Sequence, residues 1–216
     1  MVAETERPLL RGAIHQAAFV VALVVGTLLI VYADRNAITR TSAAIFAGSV
    51  VTMLGASALY HRITWGPRAR PWLRRIDHAG IYLLIAGSYT PVGLLALHGA
   101  LQRVVLGVVW TGAAASILLK FAWVNAPKWL AAVLGLALGW VGVAALPQVW
   151  HSAGVAAVVL LAAGGLAYTA GALVYAFKRP DPLPRVFGYH ELFHAFTIVA
   201  VSCQYVAIAF FVLKVG

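Results

Sequence analysis

Two pairs of residues in this chain stand four apart and carry groups that can do chemistry: Ser57 with His61, and His190 with His194. On a helix that spacing puts each pair on one face. Two histidines at i and i+4 can chelate one metal ion, and a third from another helix completes the three protein ligands of an open catalytic zinc site. His61 is the natural third ligand. The fourth position is then left to water, whose pKa zinc can lower to about 7. Asp77 is the candidate to hold that water or take its proton, and Ser57, one turn from His61, can donate a hydrogen bond to a substrate carbonyl. Zn²⁺, hydroxide, an ionised Asp77 and three neutral imidazoles sum to zero charge, the form easiest to keep at membrane depth.

The run His190-Glu191-Leu192-Phe193-His194 also satisfies the zincin pattern H-E-x-x-H, in which Glu191 would be the general base. An intramembrane metalloprotease resembling the site-2 proteases would fit a helix that starts this way. Those enzymes take a third ligand from an N-P-D-G-like or L-D-G-like segment in a later helix, and no such segment follows His194 here. The remaining histidines read more plainly. His15, His98 and His151 fall at span ends and are expected to be interfacial. His78 follows Asp77 directly, so on a helix it points about 100° away and supports or packs rather than ligates. Cys203 lies in an apolar run and is expected to pack.

The elements that must position these groups follow from composition. Of 216 residues 62 % are apolar and 10 % charged, with a mean hydropathy of +0.90. Several windows reach the ~20 residues needed to cross a ~30 Å hydrocarbon core, so the chain is expected to be an all-α, polytopic integral membrane protein. Spans are expected at about 13–33, 41–61, 76–97, 104–121, 129–149, 154–177 and 186–212: seven transmembrane helices in a single domain, 13–216, behind a short polar tail, 1–12. The first span is long and no small-residue cleavage site clearly follows it, so it is expected to stay as an anchor. Pro91 should kink the third span, since proline removes a backbone bond and clashes with the preceding turn. Gly135, Gly139, Gly142, Gly164 and Gly165 suit close helix packing.

The formal charge of +10 would suggest nucleic acid in a soluble protein. Here the Lys and Arg lie between apolar spans, where they set topology and meet anionic headgroups, and no nucleic-acid partner is expected. With the N-terminus inside, twelve Lys and Arg fall on the cytoplasmic side against four outside. The N-terminus is therefore expected in the cytoplasm and the C-terminus outside. That orientation sets His61, Asp77, His190 and His194 near the cytoplasmic ends of their helices, at one depth. Of six acidic residues only Asp77 and Glu191 stand where apolar segments begin. An ionisable group at such depth costs roughly 2.5 to 3.5 kcal/mol on insertion scales and reads as functional.

Assembled in this order, the chain resembles the haemolysin III family, the bacterial branch of the progestin and adipoQ receptor superfamily, related in turn to alkaline ceramidases. The resemblance rests on Ser57-Ala58-Leu59-Tyr60-His61, on Asp77-His78-Ala79-Gly80-Ile81-Tyr82 leading to Ala86-Gly87-Ser88-Tyr89-Thr90-Pro91, and on His190-Glu191-Leu192-Phe193-His194. It implies a seven-helix fold in the bacterial cytoplasmic (inner) membrane with one zinc ion near the cytoplasmic face. By motif match the ligands would be His61, His190 and His194, with Asp77 holding the zinc-bound water and Ser57 nearby. Three functions remain open at this point. The first is a zinc-dependent hydrolase of a lipid-like amide or ester, with a membrane lipid or lipid-like molecule as substrate. The second is a non-enzymatic sensor or homeostasis protein in which zinc is structural. The third is the intramembrane metalloprotease. Oligomeric state is not legible in the sequence.

Overall fold

The computed structural model describes residues 8–34 and 36–215. Most of the polar tail, and Arg35 of the Lys and Arg counted for topology, fall outside them. Among the described residues seven α-helices follow in order: α1 (Ala13–Tyr32), α2 (Ala37–Arg62), α3 (Arg70–Pro91), α4 (Gly99–Ala122), α5 (Lys128–Trp140), α6 (Leu146–Phe177) and α7 (Tyr189–Phe210). Among the described residues there is no strand, only an isolated bridge between Leu183 and Phe187. Six helical stretches among the described residues are long and apolar enough to cross a membrane, the fifth being the 50 residues of Lys128–Phe177.

That stretch does not run straight. A continuous helix of its length would reach about 75 Å at 1.5 Å per residue. Instead Gly154 adopts φ 84°, ψ 171°, a conformation natural only to glycine. The Trp140 indole N–H donates to Thr169 Oγ1 at 3.2 Å across the break, and Lys128 Nζ sits 4.8 Å from the Tyr175 ring centre. The chain therefore doubles back at Gly154, and α5 lies against the second arm of α6. Lys178, at φ 56°, closes α6 ahead of the proline-rich connection to α7.

α3 starts at Arg70, six residues before the expected span. Pro71 is at home in a first helical turn, where its missing N–H costs nothing, and the Arg-rich turn simply extends the helix beyond its apolar part. At its other end Pro91 passes the chain into a π-helical turn, Val92–Ala96, which is how the expected distortion is realised.

One core layer joins α1, α2, α3 and α7 through Leu29, Phe46, Met53, Leu84, Val201 and Ile208. A second joins α3, α4 and α5 through Tyr82, Val109 and Leu138. Between apolar helices in lipid, close backbone approach does the work that water exclusion does elsewhere. A Cβ on Gly164 would stand 3.1 Å from the Ala200 carbonyl oxygen, so that glycine seats α6 on α7, whereas Gly139 and Gly165 have nothing within 4 Å. The chain's other face is apolar and exposed, with Val20, Val31, Leu118 and Val199 among the side chains that would meet lipid.

Candidate metal centre

The last turn of α2 and the first two turns of α7 meet at one end of the bundle. Helix α7 begins with its first turn held from two sides. Glu191, 1 % exposed, accepts the Gly188 N–H through Oε2 at 2.9 Å and the Arg11 guanidinium through Oε1 at 3.1 Å. The former is the side-chain half of a capping box, which satisfies an otherwise orphaned backbone donor. The N-terminal segment is tied to the same place: Leu9 and Leu10 N–H donate to the carbonyls of Arg185 and Val186 at 3.0 and 3.1 Å. Gly12, at φ 74°, then turns the chain into α1 so close to α2 that a Cβ there would stand 2.6 Å from His61 Cβ.

This scaffold brings His61, His190 and His194 together, with one ligand nitrogen from each lying within 4.8 Å of the others. Nε2 of His61 and Nε2 of His190 are 3.2 Å apart. Two nitrogens at about 2.0–2.1 Å from a tetrahedral metal are separated by about 3.3 Å. Nδ1 of His194 is buried without a hydrogen-bond partner. The donor set and its spacing thus fit a metal ion, and the three imidazoles can hold one.

Asp77, on the buried face of α3, places Oδ2 3.6 Å from His61 Nε2. Ser57 is 3 % exposed, one turn inward from His61. His78, the next residue, lines the same cavity as Asp77, with its Nδ1 buried and unpartnered. Glu191 faces the cap and Arg11, and takes no part in the cluster.

A fourth histidine belongs here that sequence reasoning set aside. His15, expected at the interface, is 2 % exposed in the first turn of α1. Its Nδ1 shares a 2.8 Å hydrogen bond with Ser57 Oγ, and its ring stacks on His194 with centroids 3.8 Å apart and planes at 13°. The charge topology carried a signal for it, since α1 starts on the same side as the cluster. His98 and His151 are exposed, in keeping with an interfacial role.

A cavity of about 340 Å³ runs from this cluster into the bundle. Ser57, Asp77, His190 and His194 form one end, and its walls continue along α5 and the second arm of α6. Trp140, Val143 and Leu166 line it and are also 49–60 % exposed, so it opens sideways between those two helices.

A helical, multi-pass membrane protein with a three-histidine cluster, a carboxylate and a serine at the end of an apolar cavity is the class that fold and site define. The chain belongs to the haemolysin-III related family, whose model matches residues 3–205. It is 32 % identical over 171 residues to the hemolysin-3 homolog of Bacillus subtilis, covering 79 % of this chain and 77 % of that one. Against hemolysin-3 of Bacillus cereus it is 28 % identical over 188 residues, 86 % and 83 % of the two chains. The heptahelical transmembrane protein ADIPOR2 of Oryza sativa subsp. japonica is 30 % identical over 199 residues, 80 % and 82 %. The protein is accordingly a multi-pass protein of the cell membrane.

Proposed function

We propose that this protein is a zinc-dependent hydrolase of a lipid-like amide or ester, working at the cytoplasmic face of a seven-span domain that begins at residue 13. The observation that carries the reading is the continuity of the cavity, from the histidine cluster with Asp77 and Ser57 to a side opening between α5 and α6. An acyl chain can enter from the bilayer there and lie along apolar walls with its carbonyl at the polar end. The reversal at Gly154 supports reading Lys128–Phe177 as two crossings, and the word heptahelical in the rice relative's name is in keeping with that count. Twelve Lys and Arg against four support the N-terminus inside and the C-terminus outside.

Three imidazoles suit zinc, which when bound supplies a Lewis acid and lets water ionise near neutral pH. The chain's own groups do the rest. Asp77, adjacent to the cluster, orients water and accepts its proton, and its negative charge offsets the metal's. The Ser57 hydroxyl, steadied by His15, is placed to stabilise charge developing on the carbonyl oxygen. The apolar walls keep bulk water from the reacting carbonyl.

The test is turnover of ceramide, acyl amides and lysolipids by purified zinc-loaded protein, with Asp77→Asn as control. Turnover that falls at least a hundredfold in the variant while zinc stays bound is the expected result. A wild-type protein that hydrolyses none of these sinks the hydrolase. A second reading, structural zinc in a sensor or homeostasis protein, draws on the fact that the histidines come from two helices, α2 and α7, which a metal would tie together. It predicts that Asp77→Asn retains both zinc and function. The metalloprotease reading loses its base, because both Glu191 oxygens are engaged in holding α7.

A further inference from the structure

Lys120 stands in the last turn of α4, where a lysine ordinarily closes a span and reaches out to water. Here it is 1 % exposed and forms part of the cavity wall, as do Tyr82 and His78 of α3. A buried ammonium needs a counter-charge, and the described acidic residues do not provide one. Asp77 lies against His61. Glu191 is held by Arg11 and Gly188. Asp181 Oδ1 accepts the Tyr189 N–H at 2.7 Å, and Asp34 lies past the far end of α1. Among the described residues Lys120 makes no hydrogen bond or ion pair. Its neighbourhood adds positive charge: Arg74, Lys120 and Lys128 are all within electrostatic reach of His78, whose Nδ1 is itself buried and unpartnered. Of these only Lys120 and His78 line the cavity, where they set an unpaired cation and an unpartnered ring nitrogen on one wall, while the far walls are apolar and open between α5 and α6.

We propose that Lys120, with His78 beside it, binds the anionic headgroup of a single-chain amphiphile, a carboxylate or a phosphate, whose acyl tail lies between α5 and α6. The proposal deepens the hydrolase reading by naming the substrate class, an acyl amide or ester whose leaving group carries the anion. Hydrolysis of such a molecule adds hydroxide to the acyl carbon, breaks the C–N or C–O bond and returns a proton to the leaving atom. The products are a fatty acid and the anionic headgroup, with water the sole co-reactant.

Binding can be read without turnover. Brominated acyl chains quench tryptophan, and Trp140 lines the cavity. In phosphatidylcholine nanodiscs, three dibromostearoyl probes are titrated: the N-acylglycine, the lysophosphatidic acid and the uncharged N-acylethanolamine. The specific signal is the saturable quenching that Trp140→Phe removes. At least one anionic probe is expected to bind tenfold or more tightly than the uncharged one, and which of the two does so separates carboxylate from phosphate. Lys120→Met should bring the probes within about twofold of one another, and Lys120→Arg should keep the preference. Equal affinity for the uncharged probe in the wild type, or a preference that survives Lys120→Met, overturns the proposal. Methionine fills the space and removes an uncompensated charge, so the variant is expected to fold; the wild-type comparison decides the matter even if it does not. Repeating the titration on zinc-stripped protein keeps the two readings apart. Headgroup preference without turnover removes the hydrolase and leaves the subsite, whereas turnover of uncharged amides with no preference does the reverse.

Discussion

Four imidazoles packed against one another inside a membrane protein make an expensive arrangement unless something shares their lone pairs. His61, His190 and His194 bring one ligand nitrogen each within 4.8 Å of the others, and His15 stacks on the face of His194. Under the zinc reading, elemental analysis of purified protein should find about one zinc per chain in the wild type and little in His190→Ala. Equal zinc in both would remove the ion from this cluster. His15 is separable from the ligands by substitution. His15→Phe preserves a ring against His194 and deletes the nitrogen that meets Ser57. Zinc content should hold while turnover falls by roughly ten- to a hundredfold, the scale of a weakened oxyanion donor; a matching loss from Ser57→Ala, with no further loss in the double variant, would mark the two as one unit. Ser57, His61, Asp77, His190 and His194 were legible as a group because i, i+4 spacing and charge topology act on them directly. His15 shares their charge topology but has no i, i+4 partner of its own, so only the fold sets it on Ser57.

At the scale of the element, the start of α7 decides whether two of the three histidines stay in place. Glu191 is the residue whose sequence pattern suggests one role and whose contacts suggest another. The H-E-x-x-H match is real, yet a glutamate three residues after the N-cap is also where a helix needs an acceptor for its first free N–H groups. The structure uses it that way, with Arg11 as the second partner. Glu191→Ala leaves the Gly188 N–H and the Arg11 guanidinium without their acceptor, which should cost about 1–3 kcal/mol. It should lower the thermal midpoint in detergent and loosen zinc. Glu191→Gln still accepts from Gly188 and should keep most of the zinc and turnover. Abolished turnover in Glu191→Gln, with zinc intact and the thermal midpoint unchanged, would restore the glutamate as a base.

For the whole molecule, the question is how often the chain crosses the bilayer, and Lys128–Phe177 decides it. Hydropathy alone reads this stretch as one apolar run, since α5 and α6 are separated by no polar loop. The spans expected at 129–149 and 154–177 divide it with almost no connection, and the amino-acid sequence does not show the device that would reverse the chain between them. That device is a single glycine at positive φ, with Trp140 bonded to Thr169 and Lys128 over Tyr175 as evidence that the arms fold together. Two crossings put Asn125 and Lys178 on one side of the membrane, and His151 on the other; a single crossing would separate Asn125 from Lys178. All three are exposed, and the chain's one cysteine, Cys203, can be removed as Cys203→Ser. Single cysteines at these positions and at Val215 can then be labelled in spheroplasts with a membrane-impermeant maleimide. His151→Cys and Val215→Cys should label in intact spheroplasts, whereas Asn125→Cys and Lys178→Cys should label only after permeabilisation. The inverse pattern would keep seven crossings and turn the protein over, placing the histidine cluster on the outer face. Labelling that separates Asn125→Cys from Lys178→Cys would leave six crossings and undo the hairpin.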